Sequence, residues 1–93
     1  MTLLSFAIKS SKKIEKQIKH LDGKMKRRLF ELFLELKINP VPAGSYDVAK
    51  VSGFPNRYRI RIGPIRVIYD VEWKEKLIEL FRIERKKDRT YKF

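Results

Sequence analysis

Residues 58–69 read Y-R-I-R-I-G-P-I-R-V-I-Y, and this run decides the fold. In its first half Tyr58, Ile60 and Ile62 alternate with Arg59 and Arg61, the period of two expected of a strand buried on one face. Gly63-Pro64 interrupts the alternation. A two-residue loop with Gly first suits a type II′ hairpin turn, because Gly accepts positive φ and the fixed φ of Pro fits the second position. Ile65 to Val71 is the returning strand, with Arg66 close to the turn. A hairpin in this register puts Arg59 and Arg61 on one face of a sheet, where Arg66 can join them from the neighbouring strand. Guanidinium groups held on a rigid sheet make a cradle for phosphate. A solvated face has the same pattern, so the flanking chain must decide between the two.

Upstream of the hairpin, Leu3 to Ile8 is short and apolar and suits a first strand. Ser10 and Ser11 are N-cap candidates, although neither has the Glu or Gln three residues on that would complete a capping box. Ile14, Ile18 and Leu21 then recur at i, i+4 and i+7, with Lys12, Lys13, Lys16 and Lys19 on the other faces of a first helix. Asp22 caps a second helix from about Lys24 to Ile38, whose stripe is Met25, Leu29, Leu32, Phe33 and Leu36. Phe30 and Leu34 widen that stripe beyond one packing face. Either the helix is wedged between the sheet and the first helix, or these residues form an apolar flank that docks a partner chain. Asn39-Pro40 ends the helix, since a residue before proline avoids the α region.

Tyr46 to Val51 reads as a strand, with Tyr46, Val48 and Lys50 on one face, and residues 52–56 form a turn-rich loop before the hairpin. After a tight connection at Trp73-Lys74-Glu75, the apolar run Leu77 to Ile83 suits a central strand covered on both faces. Residues 84–93 are dominated by charge. The expected class is α+β: an N-terminal strand, a two-helix hairpin, then a mainly antiparallel sheet of about four further strands. The helices pack on one face of the sheet, and the other face is left for function. The 93 residues are expected to form a single domain, 1–93.

Composition narrows the partner. Charged residues make up 37% of the chain, against roughly 25% in an average protein. The excess is basic, 23 Lys and Arg against 11 Asp and Glu, a net charge of +12. That charge implies a polyanion, nucleic acid first, with an anionic membrane or an acidic protein as the other candidates. The absence of cysteine excludes a disulfide framework and thiolate chemistry. A signal peptide and a bilayer-spanning run are both missing, so a cytoplasmic protein is expected.

The position of the charge says more than its sum. Seven of the nine arginines fall at or after Arg57: Arg57, Arg59, Arg61, Arg66, Arg82, Arg85 and Arg89. The helices use mostly lysine. Tyr58, Tyr69 and Tyr91 lie among the arginines and could stack on bases. His20 stands alone at the end of the first helix, and reads as surface decoration. No Ser-His-Asp set, Gly-rich phosphate loop or metal-ligand cluster is present, and no cofactor is expected. Cleavage of RNA needs none of these, because RNA carries its own nucleophile, the 2′-OH beside the scissile phosphate. Arginines can stabilise the phosphorane, and in a charge-dense site a Tyr or Lys can move a proton.

The run from Tyr58 to Tyr69, the apolar strand to Ile83, and Arg85 and Tyr91 six residues apart resemble the RelE toxins of toxin–antitoxin pairs, within the RelE/ParE superfamily. The resemblance covers nearly the whole chain. It implies a RelE-like fold and a metal-independent endoribonuclease that cleaves mRNA in the ribosomal A site, leaving a 2′,3′-cyclic phosphate. By the same resemblance, the paired basic strand residues are Arg59 and Arg61, the hairpin arginine is Arg66, the late-strand arginine is Arg85, and the C-terminal tyrosine is Tyr91. Arg61 and Arg66 would hold the transition-state phosphate. Arg85 would stabilise it or assist the leaving oxygen, and Tyr91 would stack on a base or help the nucleophile. Arg57, Arg82, Arg89, Lys86 and Lys87 are further RNA-binding candidates. Some members have lysine at the strand pair; here both are arginine, which does not deprotonate in a protein. Tyr91, water and ribosomal RNA therefore all stay open as the base. Ile65 also stands where an aromatic residue often precedes the hairpin arginine.

The resemblance further implies a RelB-like antitoxin that wraps the toxin, with Phe30 and Leu34 in the surface it covers, and the ribosome and mRNA as targets. No membrane partner is implied, and the oligomeric state stays open. Two alternatives remain at the level of sequence: a ParE-like inhibitor that binds gyrase without catalysis, and an RNA- or ribosome-binding module that does not cut.

Overall fold

Gly63 takes φ of 54°, and the Gly63-Pro64 loop closes a hairpin in which Ile62 pairs with Ile65, Arg61 with Arg66 and Ile60 with Val67. The computed structural model describes residues 5–85. The elements run β1 (Ala7–Lys9), α1 (Lys12–Lys19), α2 (Gly23–Ile38), β2 (Asp47–Lys50), β3 (Arg57–Ile62), β4 (Ile65–Glu72) and β5 (Leu77–Arg85). The five strands form one sheet in the order β1-β5-β4-β3-β2. Only the β1–β5 pair is parallel. This is the expected α+β arrangement. The first strand falls later than the expected Leu3–Ile8; Leu3 and Leu4 lie outside the described residues.

Both helices start where the sequence offers a cap. The Ser11 hydroxyl accepts from the Ile14 amide at 3.2 Å, and the Asp22 carboxylate accepts from the Met25 amide at 2.8 Å. Each satisfies one amide that the first helical turn leaves without a partner. The helices cover one face of the sheet. Ile14 of α1 and Met25, Leu29, Leu32 and Leu36 of α2 pack onto Ile60, Ile62, Ile65, Val67, Tyr69, Val71, Ile78, Leu80 and Ile83. Period two therefore sends every second residue of β3 and β4 inward, as the hairpin alternation requires.

Two expectations need correction. β5 is covered on one face rather than both: Ile78, Leu80 and Ile83 are buried, while Phe81 is 47% exposed. The helices cover only one side of the sheet, and a bulge interrupts the strand at this point. Ile68 pairs with Arg82 and Tyr69 with Leu80, so Phe81 has no partner opposite it. The second correction concerns α2. Phe30, Leu34 and Ile38 are exposed by 51%, 64% and 77%, so the helix is not wedged between the sheet and α1. No helix among the described residues is long and apolar enough to cross a membrane.

Tyr69 ties the sheet to the loop after α2. Its ring is buried and its hydroxyl donates to the Pro40 carbonyl at 2.7 Å. Burial, and secondly the charge of Tyr58, hold its pKa well above the ordinary 10.0. A phenol with a raised folded pKa contributes its full stability below about pH 10, and that contribution falls as pH rises toward the folded value. Tyr69→Phe is expected to cost about 1 kcal/mol at pH 7, through the lost hydrogen bond. It should also reduce the loss of stability above pH 10; urea denaturation across pH 7 to 11 measures both. At the hairpin, a Cβ added to Gly63 would lie 2.8 Å from Arg28 Nη1, which would have to move. Together with the positive φ, this predicts that Gly63→Ala costs about 1–2 kcal/mol, read as a fall of several degrees in Tm.

Candidate functional site

With the helices on one side, the register lays out the other face of the sheet as rows. Arg61 of β3 pairs with Arg66 of β4, and Arg66 with Glu84 of β5. One row along, Arg59 pairs with Ile68, and Ile68 with Arg82. In the third row Arg57 pairs with Asp70. Arg57, Arg59, Arg61, Arg66 and Arg82 thus converge from three strands. The hairpin and the β5 bulge bring them together, because without the extra residue at Phe81 the alternation of β5 would turn Arg82 toward the helices.

These arginines are not equivalent. Arg57 Nε lies 2.7 Å from Asp70 Oδ1 and its Nη2 lies 3.0 Å from Asp70 Oδ2, a two-pronged pair. The hydrogen bond to Asp70 pushes the Arg57 pKa above its ordinary value. The Phe54 and Phe81 ring centroids are each 4.0 Å from Arg57 Cζ. Arg57 is therefore engaged within the protein, by Asp70 on its edge and by two rings. Glu84 contacts two others, Arg82 at 2.9 Å and Arg66 at 3.9 Å. Among the described residues, Arg59 and Arg61 make no ion pair. Arg59 Nε and Arg66 Nε are buried yet have no hydrogen-bond partner there.

Other sequence candidates fall elsewhere. Arg85 pairs with Ile65, and alternation puts it on the same side as Ile83, toward the helices. It borders a groove of about 750 Å³ shared with Lys13, Arg66, Phe81, Arg82 and Glu84. It also lines a cavity of about 510 Å³ with Gln17, His20 and Asp22. The groove opens beside α1 because β1 ends at Lys9, opposite Glu79, so that among the described residues β5 continues without a strand on that edge. Tyr69 is fully buried and cannot stack on a base; Tyr58, 5.9 Å away, is half-buried on the same side, because the two share the parity of Ile60 and Val67. Lys86, Lys87, Arg89 and Tyr91 lie outside the described residues.

Arg28 was missed by sequence reasoning. It projects from α2 beside the hairpin turn and lines a pocket of about 260 Å³ with Tyr46, Asp47 and Arg61. Its one signal in the sequence is that Arg27 and Arg28 are the arginines in helices otherwise supplied with lysine. On α2, exposed Phe30 and Leu34 border a groove of about 420 Å³ with Ile8, Ile18, Phe33 and Leu80.

Comparison with known proteins agrees with this architecture. The family described as the ParE toxin of type II toxin–antitoxin systems, parDE, matches residues 5–89. A protein assigned as the toxin RelE1 of Methanocaldococcus jannaschii is 32% identical over 83 residues, covering 89% of this chain and 92% of the relative. The archaeal RelE–RelB complex from Pyrococcus horikoshii OT3 superposes with a TM-score of 0.82 at 32% identity, covering 90% of this chain and 98% of that one. The isolated E. coli RelE toxin shares the fold, with a TM-score of 0.76 at 15% identity over 91% of this chain and 88% of that one. An arginine-lined sheet under two helices, matched along nearly its whole length, makes this chain a RelE-type toxin of the RelE/ParE family of toxin–antitoxin systems.

Proposed function

We propose that this toxin is an endoribonuclease that cleaves mRNA in the ribosomal A site and thereby stops translation. The observation that carries the reading is the shared face: Arg59, Arg61 and Arg66 stand in adjacent rows on one side of the sheet, and no carboxylate among the described residues pairs with Arg59 or Arg61. An RNA phosphate supplies acceptors for guanidinium N–H groups held in this way. In the reaction the 2′-oxygen attacks the adjacent phosphorus, the bond to the 5′-oxygen breaks, and a 2′,3′-cyclic phosphate and a 5′-hydroxyl remain. Arg61 and Arg66 hold the phosphorane oxygens, whose negative charge grows in the transition state. Arg85 is turned toward α1 at the end of β5 and reaches the same charge or the departing oxygen across the groove it shares with Arg66. Arginine stays protonated, so the proton of the 2′-OH goes to another group, Tyr91, water or ribosomal RNA, and the departing 5′-oxygen takes up a proton from water. Arg59 and Arg82 bind the flanking phosphates. Dependence on the ribosome follows from the open site, which leaves the alignment of the 2′-oxygen to whatever holds the message.

The partner is a RelB-like antitoxin. The Pyrococcus horikoshii relative was solved with RelB, and the exposed strip Phe30, Leu34 and Ile38 on α2 offers an apolar seat of the kind an amphipathic helix covers. The match to the ParE family favours one other reading, inhibition of gyrase without catalysis.

The test is cleavage of mRNA on programmed ribosomes with an empty A site, read by primer extension, beside the same RNA free in solution. Cuts inside the A-site codon, absent on free RNA, are expected. Arg61→Ala and Arg66→Ala should each lower the single-turnover rate by about 10²- to 10³-fold, as loss of a transition-state donor does. Wild type that binds ribosomes without cutting overturns the catalytic reading, and loss of DNA supercoiling by gyrase in its presence would move the function to the ParE kind.

A further inference from the structure

The arginines explain how this face can hold phosphate, but not why two phenylalanines stand exposed among them. Phe81 and Phe54 are 47% and 44% exposed. Each centroid is 4.0 Å from Arg57 Cζ. Two rings that close to one planar group take its opposite faces, so the order is Phe54, Arg57, Phe81. Asp70 locks the guanidinium in its plane through two hydrogen bonds, and the Arg57 and Asp70 side chains are only 16% and 29% exposed. An ion pair this covered, capped by a ring on each side, holds both rings in a set orientation.

One face of Phe81 therefore lies on Arg57. The rest of the ring borders the groove of about 750 Å³ that also reaches Arg66, Arg82 and Arg85. Arg82 Cζ is 5.4 Å from the Phe81 centroid. Phe81 follows the inward-facing Leu80 and so falls on this face, and as the residue of β5 without a partner on β4 it stands next to the displaced Arg82. Bulges of this kind redirect a side chain at the expense of regular pairing.

We propose that Phe81 is a stacking platform for one unpaired base of the bound RNA, beside the phosphates held by Arg66 and by Arg82, and that Arg57 and Asp70 are positioning residues for it. The proposal rests on the endoribonuclease reading and adds a base contact to the phosphate contacts. The occupant follows from what borders the ring. An apolar face rimmed by guanidinium groups suits a flat aromatic ligand attached to an anion, which describes a nucleotide. Adjacent rows of the sheet are two residues apart, roughly 7 Å, within the reach of a nucleotide from its phosphate to its base. Every base has a π-face, so the platform contributes affinity and placement more than sequence choice.

The test uses the full chain and single-turnover cleavage on programmed ribosomes. Messages carry either a natural A-site codon or a codon with one abasic nucleotide, placed at each position in turn. Phe81→Leu should raise the toxin concentration for half-maximal rate about 5- to 150-fold on the natural codon, and Phe81→Tyr should restore it. At one abasic position wild type should lose the same factor, with no further loss in Phe81→Leu. Asp70→Asn should give a smaller loss that vanishes at the same position. If Phe81→Leu matches wild type, or loses the same factor at every abasic position, the platform is overturned while the enzyme stands. If wild type never cuts, both fall. Should Phe81→Leu prove unfolded by circular dichroism, the abasic series in wild type and Phe81→Tyr decides, and indifference to every abasic position overturns the platform.

Discussion

The register of the hairpin at Gly63-Pro64 is the constraint on which the structure depends. Because side chains alternate with a period of two, pairing Ile62 with Ile65 sends Ile60, Ile62, Ile65 and Val67 to the helices and Arg59, Arg61 and Arg66 away from them. A slip by one residue would drive guanidinium groups into the core and expose isoleucines. Burial of an unpaired charge costs several kcal/mol, so the wrong register is strongly disfavoured. The same alternation that builds the core also builds the site.

The open face divides its arginines by their neighbours. Asp70 binds Arg57 in a closed pair, Glu84 lies between Arg66 and Arg82, and no carboxylate among the described residues pairs with Arg59 or Arg61. One part of the face is thus an internal brace and the other is left able to meet an anion. The bulge at Phe81 makes the division possible, since it brings Arg82 to this face beside Phe81 and turns Arg85 toward α1. A regular β5 continuing from Leu80 would have turned Arg82 toward the helices and Arg85 away from them. The cost is one missed pairing in the longest strand of the sheet.

The apolar strip on α2 follows from the small size of the chain. Leu29, Leu32 and Leu36 face the sheet, while Phe30, Leu34 and Ile38 are left in solvent. A surface of this kind is unfavourable in isolation and suits a chain that works with a partner. The arginine face and this strip lie on opposite sides of the molecule's layers, so an antitoxin that covers the strip must pass around an edge to reach the arginines.

Much of the fold and part of the site are legible in the local pattern of residues. The alternation in residues 58–69 specifies the hairpin, the glycine its turn, and Ser11 and Asp22 the helix starts, because each rests on local geometry: the period of a strand, a positive φ, an amide in need of an acceptor. That Arg59, Arg61 and Arg66 share a face follows from the same parity. Tertiary structure decides what parity along one strand does not carry. Whether Arg57 is free depends on Asp70, Phe54 and Phe81, which come from three separate segments, and whether Tyr69 can stack depends on which face the helices cover. The bulge has no mark in the local pattern: the apolar run from Leu77 to Ile83 reads as an unbroken strand, and the shift arises only when β5 is paired against β4. Arg28 reaches the hairpin because α2 packs across it. Local residues set each element; the side chains that meet between elements are set by packing, because the contacts that choose them join residues far apart in the chain.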